Sequence, residues 1–283
     1  MRTKLFSSRF LMADDSAKPQ IPVITLTTDF GLADPYVAEM KAVILRINPD
    51  ARIVDITHQV EKFNIRNGAF ILAAASPYFP KGTIHVAVVD PGVGTKRKPI
   101  LVETEKDFFI GPDNGVLTLA AKNQGIKHVY EITNPKFMLP KISQTFHGRD
   151  IFAPAAAYLS KGIKPSEFGS EIRKFTVPKF AKVAKKSDTL IGEVIHIDDF
   201  GNIITNFTVE HLKALRVKDY VDLRLRDNRL TLKLCKAYAE VKAGEPLAII
   251  GSHDFLEISV NMGSAAQAFK VKIGDTVTLY RSL

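Results

Sequence analysis

Between residues 23 and about 170, strand-like runs alternate with helical ones: VITLTT at 23, RIVDIT at 52, TIHVAVVD at 83, PILVET at 99 and HVYEIT at 128 are each separated by a helical stretch or a turn. A parallel strand connection needs a crossover of a dozen or more residues, usually a helix, so this alternation predicts a mainly parallel sheet covered on both faces. The expected unit is an α/β domain over residues 23–172. Its helices have readable starts. Asp34-Pro35 predicts an N-cap followed by proline at the first helical position, launching YVAEMKAVILRI. Asn64 is expected to cap a second helix that runs to Phe79, where Pro80-Lys81-Gly82 turns the chain into a strand.

After residue 188 the texture changes. IGEVIHI, NIITNF, YVDLRLRDNRLTLKL, PLAIIG, FLEISV and DTVTLY are short strands with turn residues between them, and Asp227-Asn228 is expected to form a hairpin turn. These features predict a smaller all-β, barrel-like domain over 189–283, interrupted by one short helix in NMGSAAQAF. Between the two lies a segment, 173–188, with Arg173, Lys174, Lys179, Lys182, Lys185 and Lys186 and no acidic residue before Asp188. With Pro178 and no clear period, it reads as a solvated basic linker rather than a nucleic-acid patch, despite the formal charge of +9. No nucleic-acid partner is expected.

With 46% hydrophobic residues in 283, the chain can bury a full core in two domains. No apolar run approaches the roughly 18 residues of a membrane span. Residues 1–22 carry only the broken apolar patch Phe10-Leu11-Met12-Ala13 and are expected to be a flexible extension, with an internal start at Met12. The single cysteine, Cys235, excludes an internal disulfide, suits a reducing cytoplasm and is expected to fill the core.

Ligands of α/β sheets collect beyond the carboxyl ends of the strands. Three polar segments fall there: Thr28-Asp29-Phe30-Gly31 with Asp34 beyond it, Asp90-Pro91-Gly92-Val93-Gly94 with Arg97 beyond it, and SQTFHGRD with His147, Arg149 and Asp150 before an apolar helix. The Pro-Gly-Val-Gly turn lacks the Gly-Lys-Ser/Thr ending of a phosphate loop, and its glycines do not fit the dinucleotide spacing. Each residue alone has a bland use: a turn cap for Asp29 or Asp90, a packed ring for His147. Together they make a water-handling set. An Arg beside Asp90 keeps it ionised, and a histidine titrates near neutrality. No H-E-x-x-H, H-x-H or Cys/His cluster is present, so no metal site is assigned.

Six ordered motifs resemble one family. TTDFGLADPYV (27–37), VVDPGVGTKR (88–97), PDNG (112–115), TFHGRDIFAPAAA (145–157), IDDFGNIITN (197–206) and GSHDFLEISVNMGSAA (251–266) are similar to the S-adenosyl-L-methionine hydroxide adenosyltransferases, adenosine-forming hydrolases related to the fluorinase and chlorinase. The resemblance runs from about residue 23 to the end. It implies cleavage of S-adenosylmethionine (SAM) to adenosine and L-methionine by a water-derived nucleophile at the ribose 5′ carbon, with no cofactor. It implies a catalytic trio at Asp90, Arg97 and His147.

The resemblance also implies binding roles. Asp29 would hold the ribose hydroxyls; Asp34 and one of Asp198 or Asp199 would face the methionine ammonium; Asn202, Ser252 and backbone near Met262 would read the adenine edge, with Glu257 a further candidate and Phe63 an apolar wall or a core residue. Halogenating relatives lack the intact trio and place a Ser where Tyr36 stands, and the fluorinases have Tyr-Ser where this chain has His147-Gly148. Water is therefore favoured over halide, and over a non-catalytic SAM or adenosine sensor. The implied assembly is a homotrimer with each site shared between one subunit's large domain and a neighbour's small one.

Overall fold

The computed structural model describes residues 22–281. The extension and the start at Met12 lie outside them, Pro22 excepted. The first domain contains β1 (Val23–Thr28), α1 (Tyr36–Ile47), β2 (Arg52–Thr57), α2 (Ile65–Ala75), β3 (Ile84–Val88), β4 (Pro99–Thr104), β5 (Phe108–Pro112), α3 (Thr118–Asn123), β6 (Ile126–Glu131) and α4 (Ala153–Ser160). Its sheet has the order β2-β1-β3-β5-β4-β6. The first four strands in that order run parallel, whereas β4 runs antiparallel to both β5 and β6, so the sheet is mixed.

Alternation along the strands decides which helix each residue meets. In β3 and just beyond it, Val86 and Val88 join a cluster with Met40 and Ile44 of α1 and the alanines of α4, while Ala87 and Val89 join one with Ala69, Leu72 and Ala73 of α2 and Leu119 of α3. Both faces are thus covered. The buried strands read as apolar runs for that reason.

The second domain contains β7 (Ala184–Lys186), β8 (Thr189–Ile197), β9 (Ile203–Thr208), α5 (Val209–Ala214), β10 (Tyr220–Leu225), β11 (Asn228–Cys235), β12 (Pro246–Ile250), β13 (Phe255–Val260), α6 (Ala265–Phe269) and β14 (Thr276–Tyr280). The order β14-β10-β11-β12-β13-β9-β8 closes through β14–β8 pairing, a barrel without open edges, and β7 adds to β8 outside it. Cys235 is buried, as expected.

Several local expectations shift. Helix α1 begins at Tyr36 with Pro35 as its cap and no side-chain capping bond, which leaves the Asp34 carboxylate for other use. Asn64 does cap α2, its side chain accepting from the Asn67 N–H at 3.0 Å. The β10–β11 hairpin turns one residue earlier than expected, through Arg226-Asp227, with Arg226 in the left-handed region at φ 54°. The basic segment is also more tied down than a solvated linker. Its six basic side chains are exposed, but Phe180 is buried in the cluster that includes α2, and Asn206 donates to the Phe180 and Lys182 carbonyls.

That same cluster joins the domains. Ile195, Ile204 and Phe255 of the barrel pack with α2, the His196 ring stacks on Phe70 at 4.3 Å, and Arg66 pairs with Glu193 at 2.7 Å. Among the described residues, no helix is long and apolar enough to cross a membrane.

Candidate active site

Three strand-end segments converge as the alternation predicts. A cavity of about 310 Å³ is lined by Asp29, Phe30 and Asp34 after β1, Lys62 and Phe63 before α2, Val88 at the end of β3 with Asp90 and Val93 beyond it, and Thr145, Phe146 and His147 before α4, with Tyr36 at the start of α1. Phe30, Tyr36 and Phe146 meet edge to face, with centroids 5.2–6.0 Å apart, and form an apolar wall.

Asp90, Arg97 and His147 form one hydrogen-bonded unit. Arg97 Nε donates to Asp90 Oδ2 at 2.9 Å, and Arg97 Nη2 contacts His147 Nδ1 at 2.7 Å. The Asp90 and Arg97 side chains are only 5% and 9% exposed, and the guanidinium lies 5.4 Å from the Phe152 ring. Since a guanidinium can only donate, Nδ1 of His147 must accept, which assigns the neutral imidazole with its proton on Nε2. Burial first, and then the Arg97 charge, hold the His147 pKa below its ordinary value. Asp90 Oδ1 is buried and has no protein partner among the described residues. It is the acceptor the unit leaves for a small polar ligand.

The scaffold fixes this unit from behind. Asn114, in the PDNG segment, donates to the Val89 carbonyl at 2.8 Å and so pins the residue before Asp90. Gly94 sits at φ 76°, and a Cβ there would stand 2.3 Å from the Gln144 carbonyl oxygen. Gly94 therefore serves a close approach of two loops rather than a phosphate. On the histidine side, a π-helical turn, Gly148–Phe152, leads into α4, a local irregularity frequent at functional sites. Within it, Asp150 is fully buried and accepts from the Ser143 N–H at 2.7 Å and from Arg149 Nε at 2.7 Å, and Arg149 reaches Glu39 of α1. Burial alone would raise the Asp150 pKa, but Arg149 and Ser143 overturn that and hold it low. Arg149 and Asp150 thus brace the loop that carries His147.

Asp29 is 6% exposed, and its Oδ2 accepts from the Phe63 N–H at 2.9 Å. Phe63 makes that bond from the left-handed region, at φ 63°, a conformation costing about 1–2 kcal/mol for a non-glycine residue. Its ring is 69% exposed and lines the cavity, so it is a wall and not a core residue. Asp34, freed from capping, lines the same cavity.

The remaining expected residues lie elsewhere. Asp198, Asn202 and Met262 line a second cavity of about 590 Å³ in the barrel domain, with Phe200 and Tyr238, and it shares no lining residue with the first. Asp198 is committed to its own turn, accepting from the N–H groups of Phe200 and Asn202 and from Asn202 Nδ2 at 2.9–3.0 Å. Asp199 is exposed. Met262 is 90% exposed at φ 56°, and Phe200 is 81% exposed. Ser252 is exposed and uses its carbonyl to accept from the Tyr78 hydroxyl; neither it nor Glu257 lines either cavity. Glu257 is buried and holds the Tyr238 hydroxyl at 2.7 Å and the Ser259 hydroxyl at 2.8 Å. Burial, then this bond, raises the Tyr238 pKa. Tyr238 and Lys62 are cavity residues that no spacing in the sequence marked.

Comparison with known proteins follows the same order of motifs. Residues 24–169 match the SAM hydroxide adenosyltransferase N-terminal domain, and residues 192–278 match the C-terminal domain of the same family. The chain belongs to the SAM hydroxide adenosyltransferase family. Among its relatives, an (R)-S-adenosyl-L-methionine hydrolase from Methanocaldococcus jannaschii is 38% identical over 269 residues, covering 92% of this chain and 96% of that protein. A fluorinase from Actinoplanes sp. is more distant, at 28% identity, with 92% and 98% covered. Among solved structures, a conserved protein from Thermotoga maritima is similar with a TM-score of 0.80 and 42% identity, covering 91% of this chain and all of that one. The adenosyltransferase architecture, an α/β domain followed by a closed barrel, is therefore the fold of this chain.

Proposed function

We propose that this chain hydrolyses SAM to adenosine and L-methionine by in-line attack of water on the ribose 5′ carbon. The observation that carries this reading is the Asp90–Arg97–His147 unit, set in a cavity whose lining carries the carboxylates of Asp29, Asp34 and Asp90. A sulfonium substrate is cationic at the reacting centre, and a carboxylate-lined cavity complements it. The relatives named as hydrolases at 36–38% identity support the same reaction.

The sulfonium leaves as a neutral thioether, so departure needs no acid and no metal or redox cofactor. The remaining task is to present a partly desolvated water in line with the carbon–sulfur bond. Asp90 Oδ1 accepts a hydrogen bond from that water, Arg97 pairs with Asp90 and aims it, and the neutral His147 keeps its Nδ1 toward Arg97. Asp90 rather than His147 receives the water's proton as the bond forms, because the His147 tautomer has no free lone pair for it.

The binding roles follow the two cavities. Asp29 accepts from the ribose diol and Phe63 walls the sugar, while Asn202 and the Met262 backbone read the adenine edge with Phe200 and Tyr238 beside it. Of the two barrel-domain aspartates, Asp199 is the one whose carboxylate faces the methionine ammonium, since Asp198 caps its own turn. Ser252 and Glu257 support the adenine side from outside the cavity, Glu257 by orienting Tyr238. One chain holds the two halves as separate cavities, which supports a site joining one subunit's large domain to a neighbour's barrel, in a homotrimer; the single cysteine suits a cytoplasmic protein.

Two results check this. Purified protein given SAM yields adenosine and methionine in equal amounts, and its specific activity falls as dilution drives the assembly to monomers in sedimentation. A fully active monomer contradicts the shared site, and intact SAM after prolonged incubation contradicts the reaction.

The pH profile is a further check. Protonating His147 at Nδ1 would set two cations against each other, so kcat/KM falls with acid through a pKa below the ordinary 6.5, where the neutral ring is lost. In His147→Ala the residual activity lacks that limb. An acid limb above 6.5 in the wild type contradicts the assignment.

A further inference from the structure

We propose that Lys62 is the cation that holds the α-carboxylate of the substrate's amino-acid end, opposite Asp34, and that it makes the enzyme select substrates carrying that carboxylate. The inference rests on the reading of the cavity as a SAM site.

The cavity is rich in carboxylates, and Lys62 supplies its one lysine or arginine among the lining residues. SAM brings a sulfonium, an ammonium and a carboxylate. The first two are served by the aspartates; the carboxylate would be repelled by them and requires a cation of its own. Arg97 is not available: it does not line the cavity, its charge is paired with Asp90, and its unpartnered Nη1 is buried. His147 is held neutral and cannot serve.

Lys62 is placed for the task. Its ammonium donates to the backbone carbonyl of Asp29, while the next residue's N–H binds the Asp29 carboxylate. The two-residue segment is thus fastened to both the main chain and the side chain of Asp29, which sets the lysine head at the cavity. An ammonium has three donors, and one is used. Lys62 forms no ion pair with any described carboxylate, so its charge is unneutralised within the chain. A backbone-anchored ammonium that lines the same cavity as the exposed Asp34 fits the two charges of an α-amino acid.

The test compares kcat/KM for SAM with kcat/KM for its decarboxylated analogue, which lacks only the α-carboxylate, in the wild type, Lys62→Met and Lys62→Arg. Using the ratio cancels any general damage to folding or chemistry. The ratio is expected to fall at least tenfold in Lys62→Met and to stay within about threefold in Lys62→Arg. A ratio unchanged in Lys62→Met, including an equal loss on both compounds, overturns the role of Lys62 while leaving the hydrolase reading intact. A wild type that binds and cleaves neither compound overturns the SAM reading itself, and this inference with it.

Discussion

Replacing Asp90 by Asn lowers kcat by about 10²–10⁴-fold, the range expected when a positioned proton acceptor is lost from the transition state. The amide keeps the size of the side chain and can still accept from Arg97 through one oxygen. What it cannot keep is a second acceptor at the position of Oδ1, where an amide NH₂ would instead meet the water with its own hydrogens. The change also leaves the Arg97 side chain, 9% exposed, without its counter-charge. Breaking a buried pair in this way costs about 3–5 kcal/mol, so a lowered Tm is expected together with the loss of rate. Single-turnover assays and thermal melts on the same sample separate the two effects. A folded variant with kcat within about threefold of wild type would remove Asp90 from the chemistry.

Gly94→Ala is expected to be nearly as damaging without touching any reacting group. The left-handed backbone at φ 76° alone costs an alanine about 1–2 kcal/mol. The larger difficulty is the Gln144 carbonyl, which a Cβ would approach to 2.3 Å and which belongs to the loop that delivers His147. Backbone must move on one side or the other. A displacement of about 1 Å in such a group can cost about 10²-fold in rate, and that is the fall predicted for kcat. Gly92→Ala in the same turn is the stability control, because its Cβ would find its first neighbour at 3.6 Å and its φ is not positive. Equal melting temperatures for the two variants would show that the loop contact is not what Gly94 serves.

Much of this site was legible in the sequence because strand alternation fixes where loops end up. Asp29, Asp90 and His147 lie in three segments more than a hundred residues apart at the extremes, yet each follows a strand or precedes a helix of one sheet, and the cavity lies where they meet. The barrel was legible as short strands with turns, and its closure was not, since β14–β8 pairing is a contact between the two ends of the domain. Strand β5 carries no strand signal in the sequence because FFIGP is buried on both faces, shows no alternation and ends at a proline. It inserts between β3 and β4, parallel to β3, and β4, antiparallel to β5 and β6, makes the sheet mixed.

Individual side chains were harder, and for a common reason. Asp34 reads as a helix cap from its neighbours, but Pro35 takes that position and the carboxylate faces the cavity instead. Asp198 and Asp199 look equivalent in sequence; only the turn that Asp198 closes with three hydrogen bonds tells them apart. Glu257 sits in a matching motif, but two hydroxyls occupy it from within the barrel. For Asp198 and Glu257 a competing local hydrogen bond occupies the carboxylate, and for Asp34 the helix start does the sorting; both depend on backbone geometry that residue order does not specify.

The measurement that tests the account most directly is incubation of the purified protein with SAM in ¹⁸O-labelled water, with and without chloride, with products followed by mass spectrometry. Adenosine carrying one ¹⁸O at the 5′ oxygen is expected, together with unlabelled methionine, at a rate that chloride does not change. A 5′-chloro nucleoside, or adenosine without the label, would contradict attack by a water held at Asp90.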